Sequence, residues 1–278
     1  MCYQSKQITF GALAIQKRAK WTRIPDSIKP QTDPMTWFKA VFYLGLTLLI
    51  MLMSSGLLDV FFPLITNKSA VKDFVSKEFW KQAKLIRLSE RYLLVSVILT
   101  IASPVYWNVF CRYEYYTKNL SRMAGSPSIA LILFAVSILM FSSLREWAFL
   151  RAIHMQPSIS LHATWMNYAA HLLGYSLIFF GIILSMSGFY QLGIFGTYMG
   201  EYFGFMFDQK IESFPFNYFC DPMYFGSTLM HFGRSILSTS PTGIFLSALL
   251  GFTYWLAARC FEGPFMNAMY AARNRQSS

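Results

Sequence analysis

Charged residues are scarce in this chain, where Asp, Glu, Lys and Arg together make up 13% of the 278 residues. A soluble domain of ordinary composition carries about 25%. Hydrophobic residues account for 55% of the sequence, and they form runs of the length that crosses a bilayer, about 20 residues. The low charge excludes an ordinary soluble domain and predicts an integral membrane protein.

The sequence motifs of several soluble enzyme classes are also absent. The chain contains no HExxH, no GxSxG, no P-loop and no GxGxxG after a strand. None of its four cysteines forms a CxxC pair, so neither a zinc site nor any other metal site is predicted. The formal net charge of +11 indicates contact with anionic headgroups rather than nucleic acid, because no nucleic-acid-binding signature accompanies it.

Long apolar runs predict membrane helices at residues 37–65, 92–110, 129–150 and 168–193. A shorter apolar helix is expected at 226–238, where it would reach only about 20 Å. A turn at 238–241 joins it to a full-length helix at 242–260. These two helices are predicted to form a hairpin whose ends lie on one membrane face. That arrangement would bring Asp221 and Glu262 together.

The hairpin places the N-terminus, residues 112–128, residues 194–225 and the C-terminus on one face, which we expect to be cytosolic. The basic stretch 66–91 then falls on the opposite face, against the positive-inside rule. Either this stretch lies along the interface, or the first apolar run does not cross the membrane.

Three glycines recur at seven-residue intervals on the fourth apolar run, at Gly174, Gly181 and Gly188. This spacing places them on one helix face, where another backbone can approach closely. Packing of a second helix is the favoured interpretation. The alternative is a cofactor that lies against the bare backbone near Gly181.

Several ionisable side chains occupy positions where function is a reasonable hypothesis. Glu201 and Asp221 are acids among aromatic rings, which suits them either to base chemistry or to headgroup contact. Glu262, just past the last span, is either solvated or hydrogen-bonded to a ribose or amino group of a cofactor. His231 and Arg234 are costly in lipid unless they face the protein interior or the interface.

Five segments resemble the eukaryotic phosphatidylethanolamine N-methyltransferase family, in order and with few gaps: 103–127 (SPVYWNVFCRYEYYTKNLSRMAGSP), 191–204 (QLGIFGTYMGEYFG), 214–228 (FPFNYFCDPMYFGST), 240–243 (SPTG) and 261–265 (FEGPF). The resemblance implies an all-α integral membrane protein of four to five transmembrane helices plus a C-terminal helical hairpin, an architecture like that of isoprenylcysteine methyltransferases. We expect an N-terminal extension at 1–91, a methyltransferase membrane domain at 92–272 and a tail at 273–278.

The resemblance also implies the activity, which is stepwise methylation of phosphatidylethanolamine to phosphatidylcholine. The methyl donor would be S-adenosylmethionine, without a metal. The expected partner is a phospholipid in the bilayer, and the expected location is the endoplasmic reticulum membrane together with mitochondria-associated membrane. The sequence indicates no oligomeric state. Two alternatives are a membrane methyltransferase for another acceptor, such as a prenylcysteine carboxylate, and a catalytically weakened lipid-binding homologue.

The family carries two cofactor motifs, and each departs from the pattern here. Its Gly-x-Gly falls on residues 179–181, so that Phe179 stands at the first glycine. Its Glu-Glu pair falls on Glu262 and Gly263, so that the second acid is glycine. The residues predicted to bind the cofactor are Phe179, Phe180, Gly181, Tyr224, Gly226, Glu262 and Gly263.

Methyl transfer requires a neutral amine, yet a primary amine of this kind has a pKa of about 10. The enzyme must therefore desolvate the amine or supply a base. Glu201 is the first candidate for that base, with Asp221 and His231 in reserve. The residues predicted to contact the lipid are Arg112 and Arg234, through its phosphate, and Tyr202, through cation–π attraction.

Overall fold

The computed structural model describes residues 21–23, 86–160, 164–208 and 211–276. Four of its helices are long and apolar enough to cross a membrane, and the fold is helical, as the sequence predicts. The predicted first span, 37–65, lies outside the described residues.

The helices are α1 (Arg91–Thr117), α2 (Asn119–Met123), α3 (Pro127–Met155), α4 (Thr164–Thr197), α5 (Pro222–Leu237), α6 (Pro241–Leu256) and α7 (Gly263–Gln276). A π-helical turn, Ala257–Glu262, joins α6 to α7 without a break, and a 3-10 turn spans Gly200–Phe203. Strand β1 (Trp21–Arg23) pairs antiparallel with β2 (Phe205–Phe207). Each predicted helix from residue 92 onward is confirmed at its place.

Helix ends follow from local sequence. Ser126 and Ser240 precede α3 and α6 with a proline at the first helical position, and the Ser240 hydroxyl accepts a hydrogen bond from the Gly243 amide at 3.1 Å. Helix α1 ends where Lys118 adopts a left-handed backbone with φ 56°. Gly193, with φ 61°, interrupts α4 near its end, because a positive φ is readily available to glycine.

The predicted hairpin is confirmed by contacts that run antiparallel along α5 and α6. The hydroxyls of Ser235 and Ser247 lie 3.0 Å apart near the turn, and the rings of Tyr224 and Tyr254 stack at 4.5 Å at the other end. The start of α5 therefore lies beside the end of α6, where Glu262 follows.

The glycine repeat of α4 packs against α5. A Cβ atom on Gly181 would lie 2.6 Å from the carbonyl oxygen of Gly226, and one on Gly174 would lie 3.0 Å from that of Gly233. Gly188 instead faces side-chain atoms of Met223 and Pro222. The two backbones approach closely where a glycine of α4 meets a glycine of α5.

An aromatic core joins α1, α3, α6, α7 and the 3-10 turn. Its buried members include Trp107, Phe134, Tyr202, Phe203, Tyr254 and Phe265. A second, largely aliphatic cluster packs α1 and α3 against α6, around Leu93, Ile101, Phe149, Leu246 and Leu249. The carboxylate of Glu262 contacts this aromatic core through Trp107.

Candidate active site

The carboxylate of Glu262 is the centre of a polar network within the aromatic core. Its Oε1 accepts hydrogen bonds from Nε1 of Trp107 at 2.8 Å and from Nδ2 of Asn108 at 3.0 Å. The hydroxyl of Tyr224 lies 3.0 Å from both carboxylate oxygens. Three helical segments that are distant in sequence thus meet at one carboxylate. Asp221 lies immediately before α5, three residues from Tyr224, so the two acidic motifs lie at the same end of the hairpin.

The π-helical turn gives Glu262 its position. A π turn disturbs the regular helical hydrogen-bond pattern and is common at functional sites. Here the carbonyl oxygen of Phe261 accepts a hydrogen bond from Nη2 of Arg112 at 3.0 Å. The same guanidinium lies over the ring of Phe265, 5.1 Å from its centroid. Arg112 therefore ties the turn to α1 beside Glu262.

Two stacked tyrosines connect Glu262 to a buried cation on α3. Tyr224, whose hydroxyl reaches Glu262, stacks on Tyr254. The Tyr254 hydroxyl accepts a hydrogen bond from Nη1 of Arg145 at 2.6 Å. Arg145 is only 6% exposed. A buried arginine inside a membrane helix is costly and is typically retained for a function or a specific pairing.

A second polar cluster lies between α3 and α5, around Glu146. Nε2 of His231 is 3.0 Å from Oε2 of Glu146, and Nη1 of Arg234 pairs with Oε1. Nδ1 of His231 faces the carbonyl oxygen of Ser227 at 2.8 Å. Both imidazole nitrogens therefore face acceptor oxygens.

Glu201 and Tyr202 lie in the 3-10 turn and are both buried. Glu201 is hydrogen-bonded to the hydroxyl of Tyr270, which also accepts the amide of Phe207 at 3.1 Å. Tyr202 stacks flat on Phe265 with ring centroids 4.9 Å apart. This turn therefore packs on the first residues of α7, directly after Glu262.

The carboxyl group of Asp221 precedes Pro222 and makes no capping hydrogen bond to α5. Asp221 keeps an exposed surface; partial desolvation by the neighbouring chain raises its pKa, and the positive charge of Arg259 acts in the opposite direction.

The structure gathers part of the predicted site and separates the rest. Glu262, Gly263, Tyr224, Arg112 and Tyr202 lie in or beside the contact network of the carboxylate, and His231 and Arg234 belong to the Glu146 cluster. The other predicted cofactor residues are Phe179, Phe180 and Gly181 on α4 and Gly226 on α5. Phe179 and Phe180 are 60% and 57% exposed, whereas Gly181 and Gly226 close against each other.

Sequence reasoning missed several residues of these networks, namely Trp107, Asn108, Arg145, Glu146, Tyr254 and Tyr270. One signal was available, since Asn108 and Arg112 are four residues apart in an apolar run and so share a helix face. No cluster of three or more His, Cys, Asp or Glu side chains suited to a metal occurs within the described ranges.

The known proteins that this chain resembles are phospholipid methyltransferases. The sequence model of the family described as phospholipid methyltransferase matches residues 169–273. The chain is 40% identical to the phosphatidylethanolamine N-methyltransferase of Homo sapiens over 177 residues, which cover 63% of this chain and 87% of the human protein. It is 33% identical to the phosphatidyl-N-methylethanolamine N-methyltransferase of Saccharomyces cerevisiae over 205 residues, 74% of this chain and 98% of the yeast protein. No solved structure matches the chain.

Proposed function

This chain belongs to the phospholipid methyltransferase family, and we propose that it methylates the amine of phosphatidylethanolamine, of its mono- and dimethyl forms, or of both. Relatives named for both the first and the later acceptor lipids match over most of their own length. A methyltransferase for another acceptor, such as a prenylcysteine carboxylate, is not favoured by these names.

The observation that supports this function within the chain is the setting of Glu262. The methyl donor, S-adenosylmethionine, supplies an electrophilic methyl group on a cationic sulfonium. Glu262 receives hydrogen bonds from neutral groups alone in the described part of the chain, and aromatic faces surround it. A negative charge beside aromatic faces suits a cationic ligand. We propose that Glu262 and Tyr224 hold the methyl donor here, next to Gly263, without a metal.

The other residues predicted to bind the cofactor are Phe179, Phe180, Gly181 and Gly226. Gly181 and Gly226 close against each other, so we propose that these two glycines serve helix packing, with a donor contact as the alternative. Phe179 and Phe180, which are exposed on α4, remain proposed donor contacts on that side of the site.

A base must keep the acceptor amine neutral, and Glu201 is our proposal for it. Its carboxyl is buried and oriented by the Tyr270 hydroxyl, so it is held in a fixed direction beside the aromatic core. Tyr202, on the same turn, offers a ring for cation–π contact with the methylated amine. Asp221 is the reserve base. His231 is less suited, because its two ring nitrogens already face acceptors.

Arg234 is one proposed contact for the lipid phosphate, at ten residues, about 15 Å, along α5 from Tyr224. Its side chain is 46% exposed even though it pairs with Glu146, so a headgroup oxygen can reach it. Arg112 is the second candidate, although its guanidinium already donates to the carbonyl of Phe261. A guanidinium suits a phosphodiester because it donates to two oxygens at once.

We further propose that residues 92–272 form the catalytic membrane domain and that residues 1–91 extend it. The protein would cross the endoplasmic reticulum membrane several times and also occur in mitochondria-associated membrane. Its substrate partner would be a bilayer phospholipid and not a nucleic acid.

The test uses purified full-length protein in lipid nanodiscs that contain phosphatidylethanolamine, its monomethyl form or its dimethyl form, with radiolabelled S-adenosylmethionine. Label in the lipid establishes the activity, and the ranking of the three lipids identifies the preferred step. Binding of the donor without transfer to any of them would contradict the proposed acceptor. Absence of binding would indicate a lipid-binding homologue without a working donor site.

A further inference from the structure

The two oxygens of the Glu262 carboxylate are held unequally. Oε1 accepts hydrogen bonds from Nε1 of Trp107 and from Nδ2 of Asn108. The Tyr224 hydroxyl, which carries a single proton, lies 3.0 Å from each of the two oxygens. A carboxylate has about four lone-pair sites on its two oxygens, so protein donors saturate one oxygen and leave acceptor capacity on the other.

The two side chains of α1, Trp107 and Asn108, can act only as donors at this position. An indole nitrogen can only donate, and Nδ2 of Asn108 faces two acceptors, Oε1 of Glu262 and the carbonyl oxygen of Pro104, each at 3.0 Å. Both residues are nearly buried, with Trp107 at 6% and Asn108 at 8% exposure. Two consecutive residues of α1 thus fix one oxygen of a carboxylate that follows them by about 155 positions.

Within the described residues the Glu262 carboxylate is part of no ion pair, and the groups that donate hydrogen bonds to it are neutral. A carboxylate in such surroundings needs hydrogen bonds and opposite charge to remain ionised. The ligand chemistry that complements it is a cationic amine, which brings both a positive charge and N–H donors.

We propose that Trp107 and Asn108 are positioning residues, which orient the Glu262 carboxylate so that Oε2 accepts from a cationic amine. The proposal rests on the proposed function, which provides two such amines, the α-ammonium of the methyl donor and the ammonium of the lipid headgroup. The position of Glu262 beside the stacked tyrosines, where the donor is proposed to bind, favours the α-ammonium.

The experiment measures binding of S-adenosylhomocysteine by calorimetry to purified full-length protein in detergent. Trp107→Phe removes one N–H and keeps an aromatic ring, and Asn108→Leu removes the other donor at similar volume. The matched control is Trp255→Phe, because Trp255 is 55% exposed on the outer side of α6. Each site variant should weaken binding about tenfold, the effect of losing a hydrogen bond to a charged group, and the control should bind as wild type does.

A second ligand separates orientation from general damage. 5′-Methylthioadenosine lacks the amino-acid portion, so its affinity should be equal in wild type and Trp107→Phe. In a double-mutant cycle, Trp107→Phe should add little to Glu262→Gln, because the two residues act through one contact. Equal loss of both ligands, or an additive cycle, would reduce Trp107 to a packing role and overturn the proposal.

Measuring the KM for phosphatidylethanolamine in the same variants identifies which amine Glu262 binds. If S-adenosylhomocysteine binding is unchanged in both site variants while the KM for phosphatidylethanolamine rises, positioning stands and the ligand is the lipid ammonium. If neither quantity changes relative to Trp255→Phe, the proposal fails while methyl transfer by wild type is unaffected. If wild type methylates no phospholipid yet Trp107→Phe weakens S-adenosylhomocysteine, the proposed acceptor fails and the positioning role stands.

Discussion

Adding a single methyl group at Gly181 should destabilise the protein without weakening the methyl-donor site. The Cβ of Gly181→Ala would lie 2.6 Å from the carbonyl oxygen of Gly226 and 2.7 Å from Cγ of Met230. The Met230 side chain can move, but the carbonyl belongs to the backbone of α5, so the two helices must separate by several tenths of an ångström. Overpacking of this kind costs about 1–3 kcal/mol.

The assay compares unfolding of wild type and Gly181→Ala in the same detergent, together with the affinity of the folded protein for S-adenosylhomocysteine. Ala169→Val is the control, because residue 169 lies on the same helix and is exposed in the part of the chain that the structure describes. We expect lower stability with unchanged affinity for Gly181→Ala. Unchanged stability with weaker S-adenosylhomocysteine binding would refute the packing argument and favour a cofactor against Gly181.

Four further predictions follow from the contacts described above. Tyr254→Phe removes the acceptor of Arg145, so it should lower the free energy of unfolding by about 1–3 kcal/mol, whereas Phe252→Leu on the exposed face of α6 should not. Glu146→Gln weakens the pairing of Glu146 with both His231 and Arg234. It should change the KM for phosphatidylethanolamine more than the affinity for S-adenosylhomocysteine. The reverse result would place this cluster at the methyl-donor site. Because the folded-state pKa of Asp221 is raised, its contribution to the free energy of unfolding is full at low pH and is lost as pH rises through that pKa. Asp221→Asn should therefore flatten this part of the plot of unfolding free energy against pH. An unchanged plot would contradict the raised pKa. Since only the neutral amine attacks, kcat/KM for phosphatidylethanolamine should rise between about pH 7 and pH 9, and a flat profile would argue for another acceptor chemistry.

The membrane architecture could be predicted from sequence because it depends on local properties. Apolar runs set the helices α1, α3 and α4, and the proline after Ser240 marks the start of α6. The hairpin was also predictable, since the short helix cannot cross the membrane fully and must return near its start. The glycine spacing of α4 indicated a close helix contact, although sequence alone did not say that α5 supplies it.

The candidate site was only partly predictable, because its contacts depend on which helix faces meet. Glu262 and Tyr224 were singled out from their motifs, but nothing local shows that the hydroxyl of Tyr224 lies 3.0 Å from that carboxylate. Trp107 is an ordinary aromatic residue in an apolar run until α1 packs against the π turn. His231 was a reasonable base until the structure placed Glu146 and a carbonyl oxygen at its two ring nitrogens.

The central claim is that a carboxylate embedded among aromatic rings holds the methyl donor for a phospholipid acceptor. Its most direct measurement is methyl transfer into phosphatidylethanolamine nanodiscs by wild type and Glu262→Gln side by side, with S-adenosylhomocysteine affinity recorded on the same preparations. The account predicts label in the lipid for wild type, and both lower transfer and weaker S-adenosylhomocysteine binding for Glu262→Gln. Full transfer and unchanged S-adenosylhomocysteine affinity in Glu262→Gln would contradict it.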